Sequence, residues 1–239
     1  MLTKTAAIVL HRQPYTDKGH VVHLYTQSDG RMAVLAHCGK HTTTRAALIQ
    51  PLQLLDLIID VQPHRNMQYI RESRPATIFR TIGNRPETNA VALFLAEVLY
   101  RTLRLPQADT ALFDFLYSSI LYLDTHDNIA NFHLVFLMKL AHHLGFFPNL
   151  SQFDTDALFD MEAACFCHTL PPHPYFLQKN EAQAFAKLVR MNYKTMHLFA
   201  LSHTQRNLIL QQILLYYKLH LTNFPSIKSL EILQQVFNN

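Results

Sequence analysis

The hydrophobic pattern of this chain changes period once, near residue 80, and no other feature limits its fold as strongly. Before that point apolar residues fall in short runs and alternations. After Pro86 they return every three to four residues. Side chains alternate across a strand but share a helix face at i, i+3 and i+4, so neither pattern can settle in the other state. The chain therefore reads as β first and α afterwards.

In the first part, Ala6-Ala7-Ile8-Val9-Leu10 is compatible with a strand, and Val21, Val22, Leu24 and Tyr25 form a second run. Ser28-Asp29-Gly30 is a turn signal leading into a third strand over 32–36, so 20–37 reads as a hairpin. Residues 52–61 are apolar, with Asp56 and Asp60 turned outward, and 67–71 alternate. Five short strands in about 70 residues predict a small barrel or sandwich. A basic five-stranded barrel of this kind is an OB-fold, a common binder of single strands.

In the second part, Val91, Leu95, Val98, Leu99 and Leu105 share one face, while Glu97, Arg101 and Arg104 lie on a polar stripe. Asp109 or Thr110 caps a helix carrying Leu112, Phe113, Leu116, Ile120 and Leu123. Residues 129–144 are apolar nearly all round and predict a central helix ending at Gly145, with Pro148 beyond. Residues 148–180, with Pro171, Pro172 and Pro174, read as an irregular insert, and 181–191 read as a helix. Ser202 and Gln205 form a capping-box pattern before 208–219, and a short helix follows Pro225. The predicted class is α+β and multidomain: an N-terminal OB-fold barrel over 1–80, then an all-α domain over 81–239.

A mix of 49% hydrophobic and 16% charged residues excludes an intrinsically disordered chain. Cysteines number only three, Cys38, Cys165 and Cys167, which is no disulfide framework and fits a reducing cytoplasm. The apolar run at 6–10 is shorter than a signal-peptide core. No stretch reaches the roughly 18 apolar residues of a membrane span. Residues 132–147 come nearest, and His133, Lys139, His142 and His143 interrupt them.

The net charge of +4 is distributed unevenly. Residues 1–80 hold ten Lys plus Arg against five Asp plus Glu, whereas 81–239 hold eleven against twelve. The basic excess thus sits entirely in the predicted barrel, which points to a polyanion partner or to a plainly solvated basic face. The segment HCGKHTTTRAALIQPL, 37–52, carries Lys40, His41 and Arg45 among Thr42, Thr43 and Thr44. Long cations with small hydroxyls on a loop suit a phosphate backbone, because each contact releases counterions. Arg12, Lys18 and Arg31 lie in or beside neighbouring loops. Tyr15, in a loop, is the candidate for stacking on a base, and Tyr25 reads as core.

Other constellations are weaker. Cys165, Cys167 and His168 with His173 resemble a metal site, but the cysteines are closer than the usual zinc spacing and no second pair follows. His37, Cys38 and His41 form a looser cluster, and Asp154, Asp156, Asp160 and Glu162 can be read as a magnesium site or as a solvated linker. No phosphate-binding Gly-x-x-x-x-Gly-Lys loop, Gly-x-Ser-x-Gly elbow or His-Glu-x-x-His helix is present. A metal-dependent enzyme built on Cys165, Cys167 and His168, and an RNA-binding OB module, stand as alternatives to a DNA binder.

The order AAIVLHRQPYTDKGHVVHLYTQSDGRMAVLAHCGK, then TTRAALIQPLQLLDLII, FLAEVLYRTLRLPQADTALFDFL, LMKLAHHLGFFPNL and YYKLHLTNFPSIKSLEIL resembles the RecO family of recombination mediators over most of the chain. The resemblance implies an OB-fold followed by a helical domain and no bond-breaking turnover. It implies binding to single- and double-stranded DNA and annealing of complementary strands in the cytoplasm, at the nucleoid. With RecR, such proteins load a recombinase onto DNA coated by single-strand-binding protein, whose tail the helical domain contacts. Carried onto this chain, the DNA-binding positions are Arg12, Lys18, Arg31, Lys40 and Arg45, with Arg101 and Arg104 placed to receive the acidic tail.

Two departures matter. Many family members carry a four-cysteine zinc module, where FDMEAACFCHTLPPHPYFL here has only Cys165 and Cys167, so no metal or other cofactor is expected. The 40–45 loop carries His and Thr where relatives often have Arg and Lys, which implies modest affinity for DNA.

Overall fold

The computed structural model describes residues 2–16, 19–37, 50–62 and 64–237, and so leaves Lys18, Cys38, Lys40, His41 and Arg45 outside the described residues. Strands β1 (Leu2–Thr16), β2 (Gly19–Thr26), β3 (Gly30–His37), β4 (Leu54–Asp60) and β5 (Gln68–Pro75) close a barrel in the order β1-β2-β3-β5-β4. Neighbours are antiparallel except β3 and β5, which pair in parallel through Val34–Gln68 and Leu35–Tyr69. This is the OB-fold barrel that the strand count predicts.

Alternate residues fill the barrel: Ala7 and Val9, Val22 and Leu24, Val34 and Ala36, then Leu55, Leu57 and Ile59. Ile8, Leu10, Tyr25 and Leu54 face the other way and are buried as well, because helices cover that side. Tyr25 stacks on Phe113 of a later helix, with ring centroids 6.4 Å apart. Burial on both faces explains why residues 6–10 read as one continuous apolar run.

The first strand is fifteen residues long, three times the run that hydropathy marks. It pairs with β4 through 2–8 and with β2 through 7–16, and it changes register between Val9 and His11. Such a bulge bends a strand and re-aims the side chains on its far side. There residues 11–15 are exposed, so no apolar alternation announces them.

The hairpin turn before β3 rests on Gly30, whose φ of +69° favours glycine. Any Cβ there would also meet the backbone carbonyl of Gln107. The Thr26 hydroxyl holds the turn, accepting from the Asp29 N–H and donating to the Gly30 carbonyl, each at 3.1 Å.

By packing, the chain forms two compact units, 1–126 with 226–239, and 127–225. The first unit joins the barrel to α1 (Pro86–Thr102), α2 (Thr110–Thr125) and the later α6 (Leu230–Val236). Proline stands at the first turn of α1, and the Asp109 carboxylate caps α2 by accepting from the Leu112 N–H at 2.9 Å. Near the end of α2, Asp124 is 3% exposed and accepts from the backbone N–H groups of Arg80, Thr81 and Ile82 at 2.8–3.0 Å. One carboxylate thus satisfies three donors of the segment between barrel and helices.

The second unit has α3 (Phe132–His143) at its centre, with α4 (Lys179–Arg190) and α5 (His203–His220) packed on it. The Tyr217 hydroxyl donates to the Leu137 carbonyl of α3 at 2.6 Å, and Tyr216 donates to the Phe146 carbonyl at 2.5 Å. The Ser202–Gln205 capping box opens α5 as its spacing predicts. The 148–180 insert differs from the irregular reading. It contains β6 (Leu158–Asp160), β7 (Cys165–Cys167) and β8 (Phe176–Leu177) in a small sheet, packed through Phe159 and Phe166 on Phe153 and Phe185. Strands of two or three residues are too short to show a period. Among the described residues no helix is long and apolar enough to cross a membrane.

Replacing Asp124 by Ala takes the acceptor from three backbone N–H groups, that of Ile82 buried and the others partly so, and urea unfolding should show a loss of about 3 kcal/mol. Gly30→Ala should also destabilise, by about 2 kcal/mol, because both the φ and the space disfavour a side chain.

Candidate nucleic-acid interface

Where β1 leaves the barrel core, a cleft of about 630 Å³ opens in the first unit. Three stretches remote in sequence, together with Pro51, build it: Val9, Leu10, His11 and Arg12 of β1, Leu93, Ala96, Glu97, Tyr100 and Arg101 of α1, and Lys228, Ser229 and Ile232 near the C-terminus. Its apolar lining carries Arg12, Arg101 and Lys228 as cations.

Tyr100 is the hub of the barrel side. Its ring lies 4.4 Å from His11 and 5.1 Å from His23, and the Arg31 guanidinium sits 4.4 Å over it. Arg101 approaches the same ring at 5.4 Å. Both arginine positions suit cation–π attraction. Burial, then the nearby guanidiniums of Arg101 and Arg31, hold His11 below its ordinary value. Burial, then Arg31 and His11, bring His23 from the ordinary 6.5 to about 4. At neutral pH the two imidazoles therefore offer ring faces and hydrogen bonds, while the arginines and Lys228 carry the charge.

The structure distributes the predicted residues unequally. Arg12 is exposed on β1 and faces the cleft together with Arg101, so two residues assigned to different tasks meet at one site. Arg31 instead serves as a joint: its Nη1 donates to the carbonyls of Tyr100 and Leu103 at 3.3 Å, where α1 ends and carbonyls lack helical partners. Burial lowers its pKa to about 10, and it remains charged. Arg104 is exposed, and its Nε donates to the Arg101 carbonyl at 2.9 Å. Lys18, Lys40 and Arg45 lie outside the described residues. Tyr15 is exposed and Tyr25 buried. Of the other basic residues in the barrel, Arg71 pairs with Asp60 at 2.7 Å and Arg74 with Asp56 at 3.0 Å. Lys228 carries no local signal, since only packing brings it to Arg12.

In the second unit, Cys165 and Cys167 stand on β7, both partly exposed. His168 pairs with Asp154 at 3.0 Å, and His173 lies 3.3 Å from Asp160 and 3.5 Å from Glu162. Among the described residues no three His, Cys, Asp or Glu side chains are grouped to hold a metal ion, and two thiols do not build a four-thiolate site.

His23 also yields a pH prediction. Its folded pKa lies below the unfolded value, so the unfolded chain takes up the proton first. Its contribution is neutral above about pH 6.5, turns destabilising as pH falls, and levels off near its folded value of about 4. Buried His133 of the second unit, lowered to about 3, acts with the same sign. His23→Gln should flatten the fall of Tm between pH 6.5 and 4, read by thermal melts across that range.

Residues 1–79 match the family model described as Recombination protein O N terminal, and 83–231 match Recombination protein O C terminal. Over its full length the chain is 42% identical to the DNA repair protein RecO of Bacteroides fragilis, covering 100% of both chains. It is 40% identical to the DNA repair protein RecO of Phocaeicola vulgatus and 35% identical to that of Porphyromonas gingivalis, again with 100% of each chain covered. The order of barrel and helices and the full-length identity agree, and the chain belongs to the Recombination protein O family.

Proposed function

We propose that this protein acts in DNA repair and recombination as a mediator, which binds single-stranded DNA, anneals complementary strands and helps load a recombinase onto DNA coated by single-strand-binding protein. It works by binding, not by breaking bonds. The observation that carries the reading is the cleft at the barrel rim, which Arg12 and Arg101 line together with Tyr100, in a chain whose full-length relatives are DNA repair proteins. Fixed cations hold phosphates, and the exposed Tyr15 ring is the one offered to a base of any sequence. Lys18, Lys40 and Arg45, which lie outside the described residues, are offered as further phosphate contacts on the basic excess of the sequence and the family resemblance. A strand held by its phosphates keeps its bases free to pair, and neutralised phosphates lower the repulsion between two strands. Double-stranded DNA is a second ligand, and RecR and the acidic tail of single-strand-binding protein are the protein partners. Exposed Arg104, with Arg101, is offered to that tail.

About five phosphate contacts give a salt slope of roughly −3 to −4 for single strands, at about 0.7 per phosphate. Arg12→Ala should weaken binding several-fold and reduce that slope by about 0.7, read by fluorescence anisotropy of a labelled oligonucleotide. Lys40→Ala with Arg45→Ala should weaken it further while leaving the melt unchanged. Strand annealing with and without single-strand-binding protein tests the mediator role directly. Binding indifferent to salt, or annealing no faster than in buffer, would overturn it.

A further inference from the structure

The chain leaves the first unit after residue 126, builds the second unit, and returns at 226 to complete the first. The return is fastened by Glu97, the first residue of the polar stripe that Arg101 continues. Its Oε2 accepts from the Ser229 N–H at 2.8 Å and the Ser229 hydroxyl at 2.6 Å, and its Oε1 accepts from the Lys228 N–H at 3.2 Å. Burial pushes the Glu97 carboxyl up, but these hydrogen bonds and Arg101 outweigh it, so the carboxyl stays below its ordinary value and ionised. Ser229 is 5% exposed, and Ile227 and Leu233 are buried beside it. Alternation around this anchor turns Lys228 and Ile232 outward, onto the cleft that Arg12 and Arg101 line.

Glu97 accepts three hydrogen bonds from the return, while its separation from the Arg101 guanidinium is 3.9 Å. The clasp thus brings Lys228 to the site, while the ionised Glu97 also pairs with Arg101 in the cleft lining.

We propose that the C-terminal return is part of the nucleic-acid site: Lys228 contacts a phosphate of the strand in the cleft, and Glu97 is the positioning residue that holds Lys228 there. The inference rests on the strand-binding reading above, and it assigns the site a component from the far end of the chain.

The test uses the full chain and a fluorescein-labelled oligo-dT, titrated at several salt concentrations. Lys228→Ala should weaken binding about three- to tenfold and reduce the salt slope by about 0.7, and Lys228→Arg should restore both. Glu97→Gln removes an acceptor of the return together with a negative charge of the cleft, so the readout is coupling: adding Lys228→Ala to it should cost clearly less than Lys228→Ala costs in the wild type, and an equal cost in both backgrounds would overturn the positioning role. Wild-type affinity and slope in Lys228→Ala, with Arg12→Ala still impaired, would overturn the inference and leave the strand-binding reading intact. A weaker Lys228→Ala with an unchanged slope and no rescue by Arg would also overturn it, as the mark of a purely structural role. Salt-independent binding by the wild type, unmoved by Arg12→Ala, would overturn the strand-binding reading and this inference with it.

Discussion

The first strand bonds to both of its neighbours, and the barrel closes only because it is long enough to do so. Its first half pairs with β4 and its second with β2, with Ala7 and Ile8 bonded on both sides. A closed barrel leaves no open edge for another chain to extend. Helix α1 packs against this strand, so Ile8 is buried although it points away from the barrel core. Past the bulge the same strand carries His11 and Arg12 to the cleft. The element that closes the scaffold therefore also supplies the site, and strain in one would be felt in the other.

Around Tyr100 the division of labour is electrostatic. Imidazoles near arginines in a partly buried setting lose their protons, so His11 and His23 add no charge at neutral pH. Guanidiniums keep theirs, since their ordinary pKa is far higher. The outcome is a neutral aromatic floor with a fixed cationic rim. Arg31 acts within that floor: it joins β3 to the end of α1 and orients the ring that Arg101 approaches from the helix.

In sequence, the second unit is inserted between α2 and α6 of the first. Its small sheet is held by ring packing among Phe153, Phe159, Phe166 and Phe185. Both tyrosines of the Tyr216-Tyr217 pair reach backbone carbonyls from inside, which satisfies polar groups where water is excluded.

What depended only on neighbours in sequence was legible from the sequence. The change of period separated barrel from helices, Gly30 marked a turn that needs a positive φ, and Asp109 and Ser202 marked helix starts, because turns and caps are settled within four residues. Tyr25 read correctly as core from its apolar strand. The charge split located the basic half of the chain but could not tell a free cation from an engaged one. Arg12 and Arg31 look alike in composition, yet one faces a cleft and the other ties β3 to α1. The exposed half of β1 carried no alternation to read. The meeting of Arg12, Arg101 and Lys228, and the hold of Glu97 on Ser229, belong to the tertiary structure alone. Hydrophobic period is a local property of the backbone, whereas the pairing of polar side chains across the whole length of a chain is decided only when packed elements bring them within reach.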